Sequence, residues 1–400
     1  MLLFALSREL SRTPASSRVW RSAYSTATKK SDPLRILFCG SDDFSCASLR
    51  ALHDEQKRNA ELIRSIDVVV RPGKRKGRGL KVLSEVPVRT LAEELGLPIH
   101  ERDTFTGWDM PEPEGHHINL IIAVSFGLFV PPRLINASKY GGLNVHPSLL
   151  PDLRGPAPIH HALLRRSTHT GLTVQTLSPL TFDAGIPLAQ TPRPGIPITP
   201  SLSSIAALTA HLASLGADML LSVLRQGLHA PPNEPFPGYT PPAEGEELQH
   251  APKITVWDSE VVWCKSAPGG SSIELRACVL GPLWAFGRRR DGREVRVILD
   301  GLREVQQENG VDNGTWTNPK WAGREPDGFV AWAQTSEPRL VGRGVTRVVA
   351  EKSVAGDGGV VLRLVDGSWL RVQSIKVEGS TFKPAASVFQ KVLKMTKSTI

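Results

Sequence analysis

The chain has 400 residues, 40% of them hydrophobic and 22% charged, an ordinary globular composition, and is long enough for two domains with substantial cores. Lys and Arg outnumber Asp and Glu by 48 to 39, and the surplus sits at the two ends: +4 over residues 1–33, −1 over 34–250 and +6 over 251–400. The longest apolar run, Ile118 to Pro132, is interrupted by Asn119, Ser125 and Gly127 and falls short of the roughly 20 residues that span a bilayer, so no transmembrane helix is expected.

Residues 1–30 carry six Lys and Arg against one acid, Glu9, with Leu2, Leu3, Phe4, Leu6 and Leu10 among many Ser and Thr. That is the composition of a mitochondrial transit peptide, here assigned to residues 1–33, with cleavage near Arg21 to Ser25. The four cysteines, Cys39, Cys46, Cys264 and Cys278, have no metal-ligand spacing and read as buried thiols of a reducing compartment.

Leu34 to Cys39 predicts a buried strand, Gly40-Ser-Asp-Asp43-Phe44 a tight turn, and Ser45 to Leu52 the opening of a helix. This begins a βαβ unit, and its single glycine is not the dinucleotide fingerprint. Further strands are expected at Ser65–Val70, Ile118–Val124, Gly142–Val145 and Thr173–Leu177, with helices at Val88–Leu95 and Ser201–Arg225. The alternation implies an α/β, Rossmann-like open and mostly parallel sheet with helices on both faces, over residues 34–229.

Residues 230–250 contain six prolines and no periodicity, which predicts an extended linker. Beyond it, residues 251–400 hold short β-rich runs: Ile273–Leu280, Val295–Ile298, Val345–Val349, Val360–Leu364 and Trp369–Val377. They predict a smaller all-β, OB-like barrel domain, with Asn309–Pro338 as an inserted loop. Its basic balance suggests a polyanionic partner.

The chemistry concentrates where Asn144-Val-His146-Pro-Ser-Leu-Leu-Pro151 is followed by Arg154-Gly155-Pro-Ala-Pro158. Alternate strand residues share a face, so Asn144 and His146 point the same way at the carboxyl end of a parallel strand, where ligands of open α/β sheets bind. Asp183, in Asp183-Ala-Gly185, adds a carboxylate. An amide donor, an imidazole and a carboxylate are what acyl transfer to an amine requires when no Ser or Cys nucleophile is used.

Together these residues resemble the 10-formyltetrahydrofolate-dependent formyltransferases. Ile36-Leu-Phe-Cys-Gly40-Ser-Asp-Asp43-Phe44 is similar to the family's opening strand and turn, and Ala123-Val-Ser-Phe126-Gly127 with Pro131 to a second segment. The Asn144–Pro151 and Arg154–Pro158 runs, Asp183-x-Gly185 and Ala251-Pro-Lys-Ile254 complete the likeness from Leu34 to the C-terminus. Ser41-Asp42-Asp43 departs from the usual Thr-Pro-Asp, and Ser84-Glu-Val-Pro87-Val88 carries one residue more than the usual Ser-Pro-Val.

The resemblance implies that Asn144, His146 and Asp183 are catalytic. It implies that Phe126, Gly127, Ser148, Leu149, Leu150 and Pro151 line a pterin pocket for 10-formyltetrahydrofolate, with no metal. Five basic residues, Arg71, Lys74, Arg75, Lys76 and Arg78, fall within the glycine-flexed stretch 71–79. Such a loop can follow a phosphate backbone, and it is similar to the family's tRNA-reading loop, with Arg78 the best match. The acceptor is then initiator methionyl-tRNA in the mitochondrial matrix, and the enzyme a monomer without a membrane partner. Two other readings stay open: a formyl-folate hydrolase or small-amine formyltransferase of the same fold, and a catalytically idle RNA-binding module.

Overall fold

The computed structural model describes residues 29–391 apart from 77–78, 80, 242–247, 262–271, 290–292, 306–328, 334–345, 351–352, 355–357 and 364–368. The transit-peptide expectation thus lies outside the described residues up to position 28, as do Cys264 and Arg78. Contacts divide the chain into two compact units: residues 1–158, 169–198 and 206–252 form the first, and 159–168, 199–205 and 253–400 the second.

The first unit runs β1 (Leu34–Gly40), α1 (Asp43–Arg58), β2 (Ile63–Val70), β3 (Lys74–Lys76), β4 (Val82–Ser84), α2 (Pro87–Glu94), β5 (Ile99–Glu101), β6 (Leu120–Val124), α3 (Pro132–Ala137) and β7 (Gly142–His146). Helix α4 (Pro158–Leu164), which from Ile159 on groups with the second unit, follows in the chain, and the first unit resumes with β8 (His169–Thr170), β9 (Thr173–Thr176), β10 (Pro187–Gln190), β11 (Ile196–Pro197) and α5 (Ile205–Arg225). Seven strands form one sheet in the order β10-β9-β7-β6-β1-β2-β5. Strands β5, β2, β1, β6 and β7 are parallel, and β9 and β10 continue the sheet antiparallel. The order reverses between β1 and β6, where the chain leaves one half of the sheet for the other, so the carboxyl ends of β1, β6 and β7 border the natural ligand crevice.

The strands read as near-continuous apolar runs because both faces are covered. On one face, Leu37 and Cys39 of β1, Val69 of β2 and Ile121 and Ala123 of β6 pack with Leu134 and Ile135 of α3 and with Phe105 and Phe126. The other face meets α1 and α5. Gly216 of α5 lets that helix approach β7, since an added Cβ would stand 3.0 Å from Val145 and 3.6 Å from Phe44. Helix α5 is long and apolar enough by composition to cross a membrane, yet 56% of its most apolar window is buried, with Leu208, Leu212, Leu220 and Leu224 inside the core. Buried Glu55 of α1 pairs with Arg225 at the end of α5, with Nε to Oε1 at 3.0 Å.

Residues 230–250 were expected as an extended linker, and the described part adheres to the first unit. Phe236 N–H donates to Pro187 O at 2.8 Å, and Gln249 O accepts from Leu153 N–H at 2.8 Å. These prolines reduce the entropy of a strap rather than free a tether.

The second unit is built from α6 (Ile273–Leu280), β12 (Leu283–Arg288), β13 (Glu294–Asp300), β14 (Arg303–Val305), β15 (Phe329–Ala333), β16 (Thr346–Ala350), β17 (Ser353–Val354), β18 (Val360–Arg363), β19 (Trp369–Val372), β20 (Ser374–Val377), β21 (Lys383–Pro384) and α7 (Ala385–Lys391). Its antiparallel sheets have the orders β12-β13-β20-β21 and β14-β19-β18-β17, beside the β15-β16 pair. Leu283, Val297, Leu299, Leu370, Val372 and Ile375 share its core.

Several sequence expectations change here. Ile273–Leu280 is a helix, because the Ser272 side chain caps it by accepting from Leu275 N–H, Glu274 sits in its first turn, and Ile273, Arg276 and Val279 share one buried face. Cys278 falls on the opposite face and is exposed, and Cys46 is half-buried, so only Cys39 is a fully buried thiol among those described. Trp369–Val377 is two strands in two sheets, broken at Gln373, whose N–H turns to Asp300 O at 3.1 Å. Within the expected insertion Asn309–Pro338, Phe329–Ala333 is a strand paired with β16.

Candidate active site

Four polar residues share one face where β7 meets β9. Asn144 stands opposite Gln175 and His146 opposite Thr173, and cross-strand partners project to the same side. Asn144 also neighbours Ala123 of β6, which continues this face into the apolar cluster around Phe126. Val145 points the other way, to Gly216 of α5. The alternation of strand side chains therefore puts the amide and the imidazole together, and the helix on the far face holds them there.

Asp183 arrives on the loop between β9 and β10. Its Oδ1 accepts from Asn144 Nδ2 at 3.2 Å and from Gln175 Nε2 at 3.4 Å, and lies 3.4 Å from His146 Nδ1. Its Oδ2 accepts from Gly155 N–H at 2.9 Å. Contacts near 3.3 Å are long for charge-assisted bonds, as polar clusters at binding sites often are before a ligand tightens them. Asp183 adopts a left-handed φ of 54°, a conformation uncommon for residues with a side chain but one that aspartate tolerates better than most.

His146 is 5% exposed, and its Nε2 lies 3.0 Å from Leu153 O. A carbonyl oxygen only accepts, so Nε2 carries a proton and Nδ1 is the nitrogen that faces the carboxylate. The loop supplying that carbonyl is shaped by Gly155, whose φ is 119° and where an added Cβ would meet Ala251 O at 2.5 Å.

The segment Ser148–Pro151 is held from beneath. Thr173 Oγ1 donates to Ser148 O at 2.7 Å and accepts from Leu150 N–H at 3.2 Å, while Gln190 Nε2 donates to Leu150 O at 2.8 Å. Ser148 Oγ turns inward to Asp152 O at 2.6 Å. The Ser148 and Leu150 side chains are buried, at 1% and 3% exposure, and Leu149 packs over Gly171 and Gly195, where added Cβ atoms would meet it at 2.4 and 3.1 Å. Phe126 is 4% exposed and packs on Phe105, with ring centroids 5.9 Å apart. The turn after β6 reverses through Ser125 and Gly127 at φ 48° and 75°, and Ser41 Oγ donates to Phe126 O at 3.3 Å. Asp42 beside it caps α1, and burial holds its carboxyl above the ordinary range against the Ser45 and Ser125 donors.

Around Asp183 lies an apolar rim that the sequence reading passed over. Leu180 is 88% and Phe182 58% exposed, and Phe182 meets Phe129 edge-on at 5.2 Å. Gln175, Thr173 and Gln190 were also missed. Their signal was there: polar residues at alternating positions of strands otherwise buried.

The basic stretch forms the hairpin β3–β4 at the carboxyl end of β2, with Lys74 opposite Ser84 and Arg75 opposite Leu83. Lys74 and Arg75 are exposed, as are Val82 and Leu83. Arg71 is different: its guanidinium is tied to Asp103 at 2.7 Å, which neutralises a charge expected to meet phosphate. Lys76 takes part through its backbone, and Arg78 lies outside the described residues.

The formyl transferase family profile matches residues 34–224. Mitochondrial methionyl-tRNA formyltransferase of Saccharomyces cerevisiae is 34% identical over 321 residues, covering 71% of this chain and 78% of the yeast protein. The Mus musculus protein of the same name is 37% identical over 320 residues, covering 78% of this chain and 72% of its own. Among solved structures, HypX from Aquifex aeolicus aligns at a TM-score of 0.44 and 18% identity, over 90% of this chain and 47% of that one.

Proposed function

This chain belongs to the formyl transferase family, among the methionyl-tRNA formyltransferases, and on that premise we propose that it moves the formyl group of 10-formyltetrahydrofolate to the amino group of initiator methionyl-tRNA in the mitochondrial matrix. The observation that carries the chemistry is the meeting of Asn144 Nδ2 and His146 Nδ1 at one oxygen of Asp183, at the carboxyl end of a parallel strand.

The amine lone pair forms a bond to the formyl carbon as the carbonyl π pair moves to oxygen. That pair returns as the bond to folate N10 breaks, and the proton lost by the amine leaves on N10. The products are the formamide and tetrahydrofolate, with no change in electron count. Asn144 has a second Nδ2–H besides the one on Asp183, and this can meet the developing oxyanion, a contact typically worth a few kcal/mol. His146, fixed through Nε2 to Leu153 O, has Nδ1 to relay the proton with Asp183 or an ordered water. Asp183 orients both.

The donor set and the exposed Phe182–Phe129 pair beside it fit a co-substrate with a flat heterocycle and a reactive carbonyl. Phe126, Gly127 and Ser148 to Pro151 form the pterin wall in this reading. The acceptor tRNA is held by Lys74, Arg75, Lys76 and Arg78, and by the basic segment 251–400 acting as an OB-like RNA-binding domain after a catalytic domain over 34–229. The exposed basic hairpin favours tRNA over water or a small amine as acceptor.

The test is to mix the purified protein with 10-formyltetrahydrofolate and either charged initiator tRNA or free methionine. Formylation of the tRNA alone is expected, and His146→Ala should lower turnover by about two or more orders of magnitude. Formyl-folate hydrolysis without transfer, or equal use of free methionine, overturns the reading.

A further inference from the structure

Gln175 is 1% exposed and stands on β9 directly across from Asn144. Its two amide atoms do different work on the same loop. Nε2 donates to Asp183 Oδ1 at 3.4 Å, and Oε1 accepts from Gly185 N–H at 3.1 Å. The orientation of the amide follows from those partners, since a carboxylate can only accept and a main-chain N–H can only donate.

The loop so gripped has little other freedom. Its base is closed by Thr176, which donates N–H to Ile186 O at 2.9 Å and accepts Ile186 N–H on Oγ1 at 2.8 Å. Gly185 lies so near Thr176 O that a Cβ there would overlap it. Between these fixed ends Asp183 keeps its left-handed backbone. The side chain of Gln175 thus sets both where the loop sits and where one carboxylate oxygen points, and that oxygen is the one facing His146 Nδ1.

We propose that Gln175 is a positioning residue for the formyl transfer: its Nε2–H holds Asp183 Oδ1 between Asn144 and His146. The proposal rests on the formyl-transfer reading above. Two neighbouring carboxylates disfavour each other's ionised state.

The experiment compares Gln175→Met and Gln175→Glu with the unaltered protein in transfer from 10-formyltetrahydrofolate to charged initiator tRNA across pH. Gln175→Met, equal in length and without donor or acceptor, should lose roughly tenfold or more in kcat while KM for either substrate stays within about threefold, the pattern of a misplaced catalytic group. Gln175→Glu keeps an acceptor for Gly185 N–H and so preserves the loop. Its activity should approach that of the unaltered protein at low pH, where the introduced carboxyl and Asp183 share one proton and the new side chain can donate, and fall as pH rises and the pair loses it. A Gln175→Glu profile parallel to the unaltered one overturns the proposal and leaves Gln175 a loop anchor only, as does a Gln175→Met kcat within about twofold. Should Gln175→Met fold poorly by thermal melting, the pH profile of Gln175→Glu decides alone. Absence of transfer by the unaltered protein is a different failure, of the formyl-transfer reading itself.

Discussion

The main-chain N–H of Gly155 donates to Asp183 Oδ2 at 2.9 Å, across 28 residues of sequence. With Oδ2 fixed from the loop after β7, Oδ1 is turned to Asn144, His146 and Gln175. A carboxylate on an irregular loop thereby acquires the definition of one on a strand.

Gly155→Ala should break this relationship. The added Cβ would meet Ala251 O at 2.5 Å in a backbone with φ of 119°, so the loop must move and draw its N–H away from Asp183. A stability loss of about 1–3 kcal/mol is expected from the backbone strain, with kcat lowered roughly tenfold or more. Thermal melting and single-turnover transfer check it, and an unaltered kcat would mean that Asp183 does not depend on this bond.

For the hairpin, the expected effect is on tRNA binding. Replacing Lys74 and Arg75 by Ala removes two exposed charges, which should raise KM for tRNA and flatten the dependence of log KM on log salt by roughly 1.5–2. The KM for the formyl donor should not change. Titrating tRNA at several salt concentrations measures the slope, and an unaltered slope would show that neither charge meets a phosphate.

His229 gives the folded protein a pH dependence separate from catalysis. It is fully buried and stacks edge-on against Tyr140 at 5.3 Å. Burial pushes its pKa down to about 4, against the opposing Val223 backbone. The folded state therefore binds this proton less readily than the unfolded state, whose histidine titrates near 6.5. Above that pH both states are neutral and nothing is lost. As pH falls from about 6.5 to about 4 the unfolded state is favoured progressively, by on the order of 3 kcal/mol at the limit. Urea unfolding at pH 7.5 and pH 5 should show this decline, and His229→Phe should reduce it. An equal pH dependence in both proteins would assign the loss to other groups.

The sheet strands were legible because apolar runs bounded by turn residues have few other uses. Leu34–Cys39 and Ile118–Val124 appear close to their expected limits. Ile273–Leu280 predicts a strand because a short apolar run suits a strand or a buried helix turn equally, and the decisive mark of the helix is the Ser272 cap with Glu274 behind it. The alternation of Thr173 and Gln175 about Val174 marks a polar face but not its use, because the partner of Gln175, Asp183, is reached only after the loop folds back. Arg71 carries no local mark that sets it apart from its basic neighbours, and its pairing with Asp103, 32 residues on, exists only in the folded chain.

By itself the sequence determined the alternation of strands and helices, the shared direction of Asn144 and His146, and the family likeness. All three follow from local rules: strand periodicity, turn chemistry and motif spacing act over a few residues. Only the tertiary structure decided which oxygen of Asp183 faces the imidazole, that Arg71 already has a partner in Asp103, and that Gln175 belongs to the cluster. Those relationships are made by hydrogen bonds and ion pairs between segments distant in the chain, and no local pattern encodes a distance across a fold.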